Sequence, residues 1–409
     1  MAKAGKRCLV IDKRSHIGGN LYTEDVDGIQ VHRYGAHIFH TNDEKIWKYV
    51  NRFADFNHYI HSPLAVCQDE IYNLPFNMNT FSRLWNLKKP QEAREKIAAQ
   101  VEPSLEKNAS YPDGTVEEQA LSLVGAEVYE KLIRGYMEKQ WGRDCKELPA
   151  ALLGELPLRF TYDNRFFEDD FQGIPTGGYT ALVEKLLENT DVMTDTDFFV
   201  YRRDHPEMFD RVLYTGRIDE YFDFRYGHLE YRSARFETER VAEADYQGSA
   251  VVNYMDPKVP YTRVIEYKHF APETEAENPK EYSIISREYP ENWQPGVELS
   301  PPAGRRQDVP SIGRNASRLD GTAEGVFSEE NASCPGCTAE VCDPLRDEKN
   351  MALYERYRKL ADREENVIFG GRLGIYQHLD MDQAIAAAME LAQEEKLRFQ
   401  KKRGKDVLD

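Results

Sequence analysis

The chain has 409 residues, 41% of them hydrophobic, which suits two or three domains with substantial cores. Its 53 basic and 71 acidic residues leave a net charge of −18, which argues against a general nucleic-acid role and leaves any phosphate-bearing ligand to a few local arginines. No segment approaches the roughly 18 uncharged apolar residues of a membrane helix, no signal peptide is visible, and six scattered cysteines (Cys8, Cys67, Cys145, Cys334, Cys337, Cys342) fit a reducing, cytoplasmic setting.

Lys6 to Arg14 reads as a buried strand ending in an acid, Asp12, and is followed by Gly18-Gly19-Asn20. In a dinucleotide-binding unit this is the second strand, whose terminal acid holds a ribose. The first strand and its G-x-G-x-x-G turn are expected upstream of Met1, with Met1–Gly5 as the last turn of the first helix. Val31 to His40 is a second ordered segment rich in histidine, and residues 43–56 read as a short helix. Residues 79–148 change to helical periodicity, as in Pro90–Gln100 and Val116–Tyr136. Gly173–Tyr179 is a turn leading into a helix over Thr180–Asn189, and Arg211–Gly216 is a buried strand. Residues 229–270 and 281–289 alternate as strands of an antiparallel sheet, including Ala250–Tyr254 and Tyr261–Tyr267. Residues 297–346, rich in Pro and Gly, read as a flexible insert. Val367–Arg372 is a last strand and turn, and Asp380-Met381-Asp382 opens a helix to about Lys402.

The chain carries Val10–Tyr22, the run Tyr34 to Asn42, Asn73–Asn79, and Glu138-Lys139-Gln140-Trp141-Gly142-Arg143. It continues with Phe171–Tyr179, Tyr214–Phe222, Leu229–Glu239, Val259–Phe270 and Phe369–Asp382. Together these segments resemble bacterial UDP-galactopyranose mutases, a flavoenzyme family, over nearly everything except the insert. The resemblance implies an α/β fold: an FAD-binding Rossmann-like domain lacking its first strand and Gly-rich turn (residues 1–50, 177–218 and 347–409), an inserted helical domain (79–148), and an antiparallel β-sheet substrate domain (51–78, 149–176 and 219–296). It implies FAD as cofactor, a UDP-galactose-type nucleotide sugar as substrate, and ring contraction of UDP-galactopyranose to UDP-galactofuranose without net redox change. Reduced flavin acts there as the nucleophile toward the anomeric carbon, dividing one hard exchange into easier steps. Homodimers are common in the resembling family; no nucleic-acid or membrane partner is implied.

Carried onto this chain, the resemblance places Asp12, Lys13, Gly18, Gly19, Asn20, His37, Ile38, Gly371 and Arg372 at the flavin. It adds the helix start Met381, Asp382, Gln383, Ala384, Ile385 and Ala386. Tyr136, Met137, Trp141, Phe166, Arg232, Asn253, Arg263 and His378 fall at the substrate, and Arg263, His37 and Arg372 at the chemistry. For each there is a plainer alternative. Asp12 is otherwise a solvated strand end, Gly18–Asn20 an ordinary turn, and Met381–Ala386 a capped helix start. Trp141 and Tyr136 are otherwise core. Arg263, on a strand amid apolar neighbours, needs an anion, either a diphosphate or a buried carboxylate. His37 and His40, three apart without a third ligand, fall short of a zinc site. Cys334-Pro335-Gly336-Cys337 lacks a fourth ligand.

Five positions depart from the family pattern. Glu155 stands where the family has arginine, and Phe166, Asp343 and His378 stand at tyrosines; His61 replaces an asparagine. A carboxylate in place of a phosphate-binding arginine reverses a close interaction, with like charges about 4 Å apart repelling by roughly 4 kcal/mol at an effective dielectric of about 20. Three readings therefore stay open: a working mutase, a non-catalytic UDP-sugar-binding homologue, and a flavin oxidoreductase on another substrate.

Overall fold

The computed structural model describes residues 5–101, 114–154, 156, 158–292 and 340–405, those at 340–342 and 401–405 by backbone alone. Two compact units emerge: Met1–Ile60 with Phe167–Arg232 and Cys342–Asp409, and His61–Phe166 with Ser233–Val341. No helix among the described residues is long and apolar enough to cross a membrane.

In the first unit, Leu9–Ile11 runs parallel to Asp191–Met193, and Val212–Tyr214 runs parallel to Val367–Phe369. These pairs form two separate two-stranded sheets. The expectation of a buried first strand is corrected here. Val10 is 37% exposed and so is its partner Val192, because the pair has no further strand beside it among the described residues. Thr23–Val26 and Ile29–His32 form a hairpin. Asp27 and Gly28 link them with φ of 54° and 81°, the left-handed pair that a two-residue turn requires. Phe39–Thr41 pairs with Phe171–Gly173. The Asp43 carboxylate accepts from the N–H groups of Lys45 and Ile46 and starts the helix Glu44–Val50. Ile46 and Val50 pack with Phe39, and Met381, Ile385 and Ala386 close over them. Thus the first turns of Met381–Lys405 serve the core with their side chains, whatever their N–H groups bind.

A buried ion pair organises the same unit. Asp219 is fully buried, 3.3 Å from Arg217, and accepts from the N–H groups of Glu220 and Leu229. Breaking such a pair leaves an uncompensated charge, so it fixes the chain where it turns from the strand Val212–Tyr214 toward Tyr231.

The second unit is a sheet with helices. The order in space is Glu340–Pro344, Tyr231–Val241, Ser283–Asn292, Arg263–Glu266, Val251–Tyr254, Leu64–Cys67, Glu70–Asn73. The sheet is mixed rather than antiparallel throughout, because Val251–Tyr254 runs parallel to Leu64–Cys67. Those strands come from distant segments, so no hairpin dictates their direction. The end of the expected insert is also corrected: Glu340–Pro344 is a strand, while residues 297–339 lie outside the described residues.

The helices of residues 78–141 share one core with this sheet. Phe81, Ile97, Val124, Val128 and Leu132 pack with Ala65, Tyr72 and Met255. Thr115 and Glu118 cap Val116–Tyr129 reciprocally. The helical run does not continue as read from its periodicity. Gly125, at φ 75°, breaks it, and a wider turn over Glu130–Arg134 precedes Gly135–Trp141. A Cβ at Gly135 would stand 2.3 Å from the Met255 carbonyl, so only glycine lets this helix approach the sheet.

Two charged nodes hold the sheet. Arg263 and Glu288 face each other in register, with Nε 2.7 Å from Oε2 and Nη2 donating to Oε1 at 3.0 Å. Glu288 is 3% exposed, so the fork takes a carboxylate out of water and balances it. Glu266, fully buried, accepts from Tyr246 and Gln247 N–H groups and lies 3.4 Å from His269 Nε2. Asp245 is 3.2 Å from the same nitrogen. Burial pushes the Glu266 carboxyl up, but the His269 imidazole and backbone donors overcome it and hold it below its usual value. Glu266 in turn raises His269 above its usual value, against the effect of burial. Asp245, Glu266 and His269 bring their ligand atoms within 4.8 Å of one another. The oxygens of Glu266 are nonetheless engaged by N–H donors, and the imidazole is biased to its charged form, so the cluster is an ion pair.

Replacing His269 by Gln should change how stability depends on pH. A raised histidine contributes fully below its unfolded value of 6.5 and loses that contribution as pH rises through the folded value. In urea denaturation, the gap between wild type and His269→Gln should be widest at about pH 5.5 and narrow above neutrality; a pH-independent gap would contradict the pairing. Glu288→Gln leaves the Arg263 charge facing an amide. With Arg263 partly exposed, the expected loss is about 2–3 kcal/mol, read from the urea midpoint.

Candidate active site

The predicted flavin residues lie in the first unit. Asp12 follows the strand Leu9–Ile11; its N–H donates to Met193 and its carbonyl accepts from Thr196, fixing the acid at the strand end. One carboxylate oxygen, Oδ1, accepts from the Arg14 N–H at 2.9 Å. The other has no partner among the described residues. Lys13 follows without a bonded role of its own. Gly18 and Gly19 take φ of 87° and 56°, folding the chain back into the short turn Gly19–Leu21. Asn20 accepts from the Arg14 guanidinium at 3.1 Å.

Arg14 and His16 were not expected here. Arg14 lies 5.2 Å from the Tyr34 ring centre, and His16 bonds the Tyr34 hydroxyl at 2.7 Å while stacking on Tyr22 at 3.9 Å. A cation directly after an apolar strand was the visible signal for Arg14. His16 had none, because its partner stands 18 residues on.

The histidine loop is internally bonded. His37 donates its N–H to His32 Nδ1 at 3.2 Å, and its own Nδ1 is 2.8 Å from the Gly35 carbonyl. His32 is buried and its pKa is lowered to about 3, first by burial and then by His37, so it is neutral. Ile38 is buried, and the Tyr179 hydroxyl donates to the His37 carbonyl at 3.1 Å. His40 points elsewhere: Nδ1 is 2.6 Å from Asp169 and its ring stacks on Phe167 at 3.7 Å. Asp169 is 129 residues away, beyond the reach of local pattern.

Gly371, at φ 68°, opens the short helix Gly371–Gly374, where a Cβ would meet Thr215 at 3.3 Å. Arg372 donates through Nε to the Leu379 carbonyl at 2.7 Å, and Nη1 lies 3.7 Å from Asp343. At the start of Met381–Lys405, Asp382 accepts from Gln383 N–H and from the Thr41 hydroxyl, Gln383 Oε1 accepts from Asp380 N–H, and Ala384 N–H donates to the Asp380 carbonyl. The N–H groups of Met381 and Asp382 have no partner among the described residues, the usual state of a helix start facing solvent or an anion.

Of the substrate residues, Arg232 and His378 also lie in the first unit. Arg232 is buried; His378 Nδ1 lies 2.9 Å from Asp343, and Nε2 lies 3.8 Å from Asp380. Tyr376 is core: its hydroxyl reaches the carbonyls of Glu230 and Leu345 at 2.6 and 2.8 Å.

The others lie in the second unit. Tyr136, Met137 and Trp141 sit on Gly135–Trp141 and pack on the shared core, Met137 buried and the aromatics half-buried. Burial pushes the Tyr136 hydroxyl up, Arg263 opposes this and Glu288 adds to it, so phenol, guanidinium and carboxylate share one neighbourhood. Asn253 stands opposite Arg263 in register and donates to the Leu64 carbonyl at 3.1 Å. Both alternatives for Arg263 thus meet one fact, that a buried carboxylate already holds it. Phe166 donates its N–H to the His61 carbonyl at 2.7 Å, and the two rings meet edge to face at 5.5 Å. Arg159 donates to the Phe166 carbonyl at 3.2 Å. Lys139 was quoted in a motif but given no role; its ammonium donates to the carbonyls of Tyr254 and Tyr261 and ties helix to sheet. Glu155 lies outside the described residues.

Comparison with known proteins gives this arrangement a family. Residues 131–307 and 322–378 match the family model for UDP-galactopyranose mutase, and residues 1–53 match an NAD(P)-binding Rossmann-like domain. A Klebsiella pneumoniae protein described as a probable UDP-galactopyranose mutase is 36% identical over 399 residues, covering 96% of this chain and 90% of its own. The dTDP-fucopyranose mutase of Escherichia coli is 34% identical, covering 96% and 93%. The crystal structure of a reduced UDP-galactopyranose mutase shares the fold, with a TM-score of 0.51 at 12% identity over 70% of this chain and 73% of that one. The chain belongs to the UDP-galactopyranose mutase family, whose members are isomerases of the intramolecular-transferase type.

Proposed function

We propose that this protein binds FAD and, with the flavin reduced, interconverts the pyranose and furanose forms of a nucleoside-diphosphate hexose, UDP-galactose first among them. The observation that carries this is the match to mutases along 96% of the chain.

The residues present fit a flavin nucleotide. Asp12 keeps one carboxylate oxygen for a ribose hydroxyl. Gly18 and Gly19 bring backbone close with no side chain to obstruct it, and the N–H groups of Met381 and Asp382 suit a phosphate oxygen. His37 and Ile38 would line the ring, their loop held rigid by neutral His32 and by Tyr179. Reduced flavin would supply a nucleophile for the anomeric carbon. Tyr136 and Trp141 offer aromatic faces for sugar or base. Arg263, partly exposed and paired with Glu288, would meet an anion in competition with that carboxylate. Asn253 and Phe166 are further substrate candidates in the second unit, Arg232 is one in the first, and Arg372 is there a candidate for the flavin.

A second reading is favoured by Asp343 and His378. Where the resembling family has two tyrosines, this chain has a carboxylate hydrogen-bonded to an imidazole. A protein that binds nucleotide sugar without converting it would tolerate that change.

The test begins with colour. Purified protein given FAD should be yellow, and after reduction with dithionite it should convert UDP-galactofuranose to the pyranose on anion-exchange chromatography. Colourless protein overturns the proposal; yellow protein that binds UDP but forms no product supports the second reading. Asp12→Ala should weaken FAD binding by about ten- to a hundredfold in flavin-fluorescence titration, the range expected for losing a hydrogen bond to a charged acceptor.

A further inference from the structure

We propose that Asp343 is an internal counter-ion that competes with the substrate's diphosphate for Arg372 and His378, so that a carboxylate of this chain sets its affinity for nucleoside diphosphates. The inference rests on the nucleotide-sugar reading above and concerns how the same site is tuned.

Four groups within the first unit carry it. Asp343 Oδ1 lies 2.9 Å from His378 Nδ1 and 3.7 Å from Arg372 Nη1. Asp380 lies 3.8 Å from the other imidazole nitrogen. The cluster therefore sets two carboxylates against one guanidinium and one imidazole, and its net charge is zero at best. Its side chains are 25%, 36%, 57% and 45% exposed for Asp343, Arg372, His378 and Asp380, so a ligand can reach all four. At such exposure the pairings contribute little to stability and are open to exchange.

The backbone holds the carboxylate in place. Asp343 is near the end of the strand Glu340–Pro344. The next residues are locked: Leu345 is buried, its N–H donates to the Glu230 carbonyl, and the Tyr376 hydroxyl bridges the carbonyls of Glu230 and Leu345. Arg372 is fixed through Nε to Leu379, which leaves its outer nitrogens on the Asp343 side. Relief of repulsion must then come from rotation of the Asp343 side chain, not from movement of its strand.

The two departures from the family pattern in this unit, Asp343 and His378, are the two residues bonded to each other. In place of the two hydroxyls expected from the family pattern stand a carboxylate and the imidazole that bonds it. A diphosphate arriving here meets an oxyanion, and must displace that carboxylate from the Arg372 guanidinium and from the His378 ring.

The experiment is calorimetric titration of the full-length, FAD-loaded protein with UDP and with uridine at fixed ionic strength. Asp343→Asn keeps an acceptor for His378 and removes the charge. It should bind UDP at least about tenfold more tightly than wild type, with uridine affinity unchanged, because only the phosphates sense the carboxylate. Asp343→Ser and Asp343→Tyr should shift UDP affinity the same way, and Asp343→Glu should not; far-UV circular dichroism verifies the fold of each. UDP binding that is equal to wild type or weaker in the folded neutral variants overturns the proposal and leaves the nucleotide reading intact. A parallel gain for uridine overturns it as well, since the effect would then not be electrostatic. Absence of UDP binding in wild type and every variant overturns the nucleotide-sugar reading and the proposal together.

Discussion

The fork of Arg263 on Glu288 is the constraint from which the second unit is built. A carboxylate 3% exposed survives only with a cation aligned on it, and the register that opposes residues 263 and 288 supplies that alignment. The same register places Asn253 across from Arg263, and the close approach at Gly135 brings Tyr136 into their field. The pairing is therefore structural before it is functional. An anion that recruits Arg263 must share it with Glu288, in a protein whose 71 acidic residues outnumber its 53 basic ones.

The first unit repeats this economy. Arg217 is spent on buried Asp219, Arg14 on Asn20, and Arg372 on the Leu379 carbonyl and Asp343. Each guanidinium stiffens a turn or a chain reversal with part of its donor set. Arginine suits this double duty because its planar fork bonds in two directions, which a lysine cannot reproduce. Where lysine is used, at Lys139, the ammonium is consumed by two carbonyls and ties helix to sheet.

What could be read in advance follows from how local each cause is. Asp43 and the Thr115–Glu118 box act within a few residues, and the helices they begin were legible; the hairpin of Thr23–Val26 with Ile29–His32, though its Asp27-Gly28 turn is equally local, was not read. The glycines at 18, 19 and 371 were legible as turns for the same reason. The break at Gly125 was not, because a glycine within helical periodicity does not announce its φ, and the Gln100 side chain that leaves no room for a Cβ there comes from another helix end. The parallel pairing of Val251–Tyr254 with Leu64–Cys67 had no sequence signal, since apolar alternation states a face and not a neighbour. Arg263 was recognised as needing an anion, but its carboxylate lies on the next strand of the sheet. His40 required Asp169, from a segment 129 residues away.

The departures from the family pattern sort by the same logic. Read singly, Phe166, His61, Asp343 and His378 are losses of polar groups suited to substrate. In the folded chain they pair: the Phe166 ring meets the His61 ring edge to face, and Asp343 bonds His378. Independent decay would leave orphaned partners, a buried histidine without a contact or a carboxylate without a donor, each costing stability. Here each changed residue is matched by the change beside it. Such matching keeps the scaffold intact around a ring pair and a carboxylate–imidazole hydrogen bond. Among the described residues, the departures from the family pattern therefore sit as two contacting pairs, and both pairs leave the surrounding backbone bonds intact.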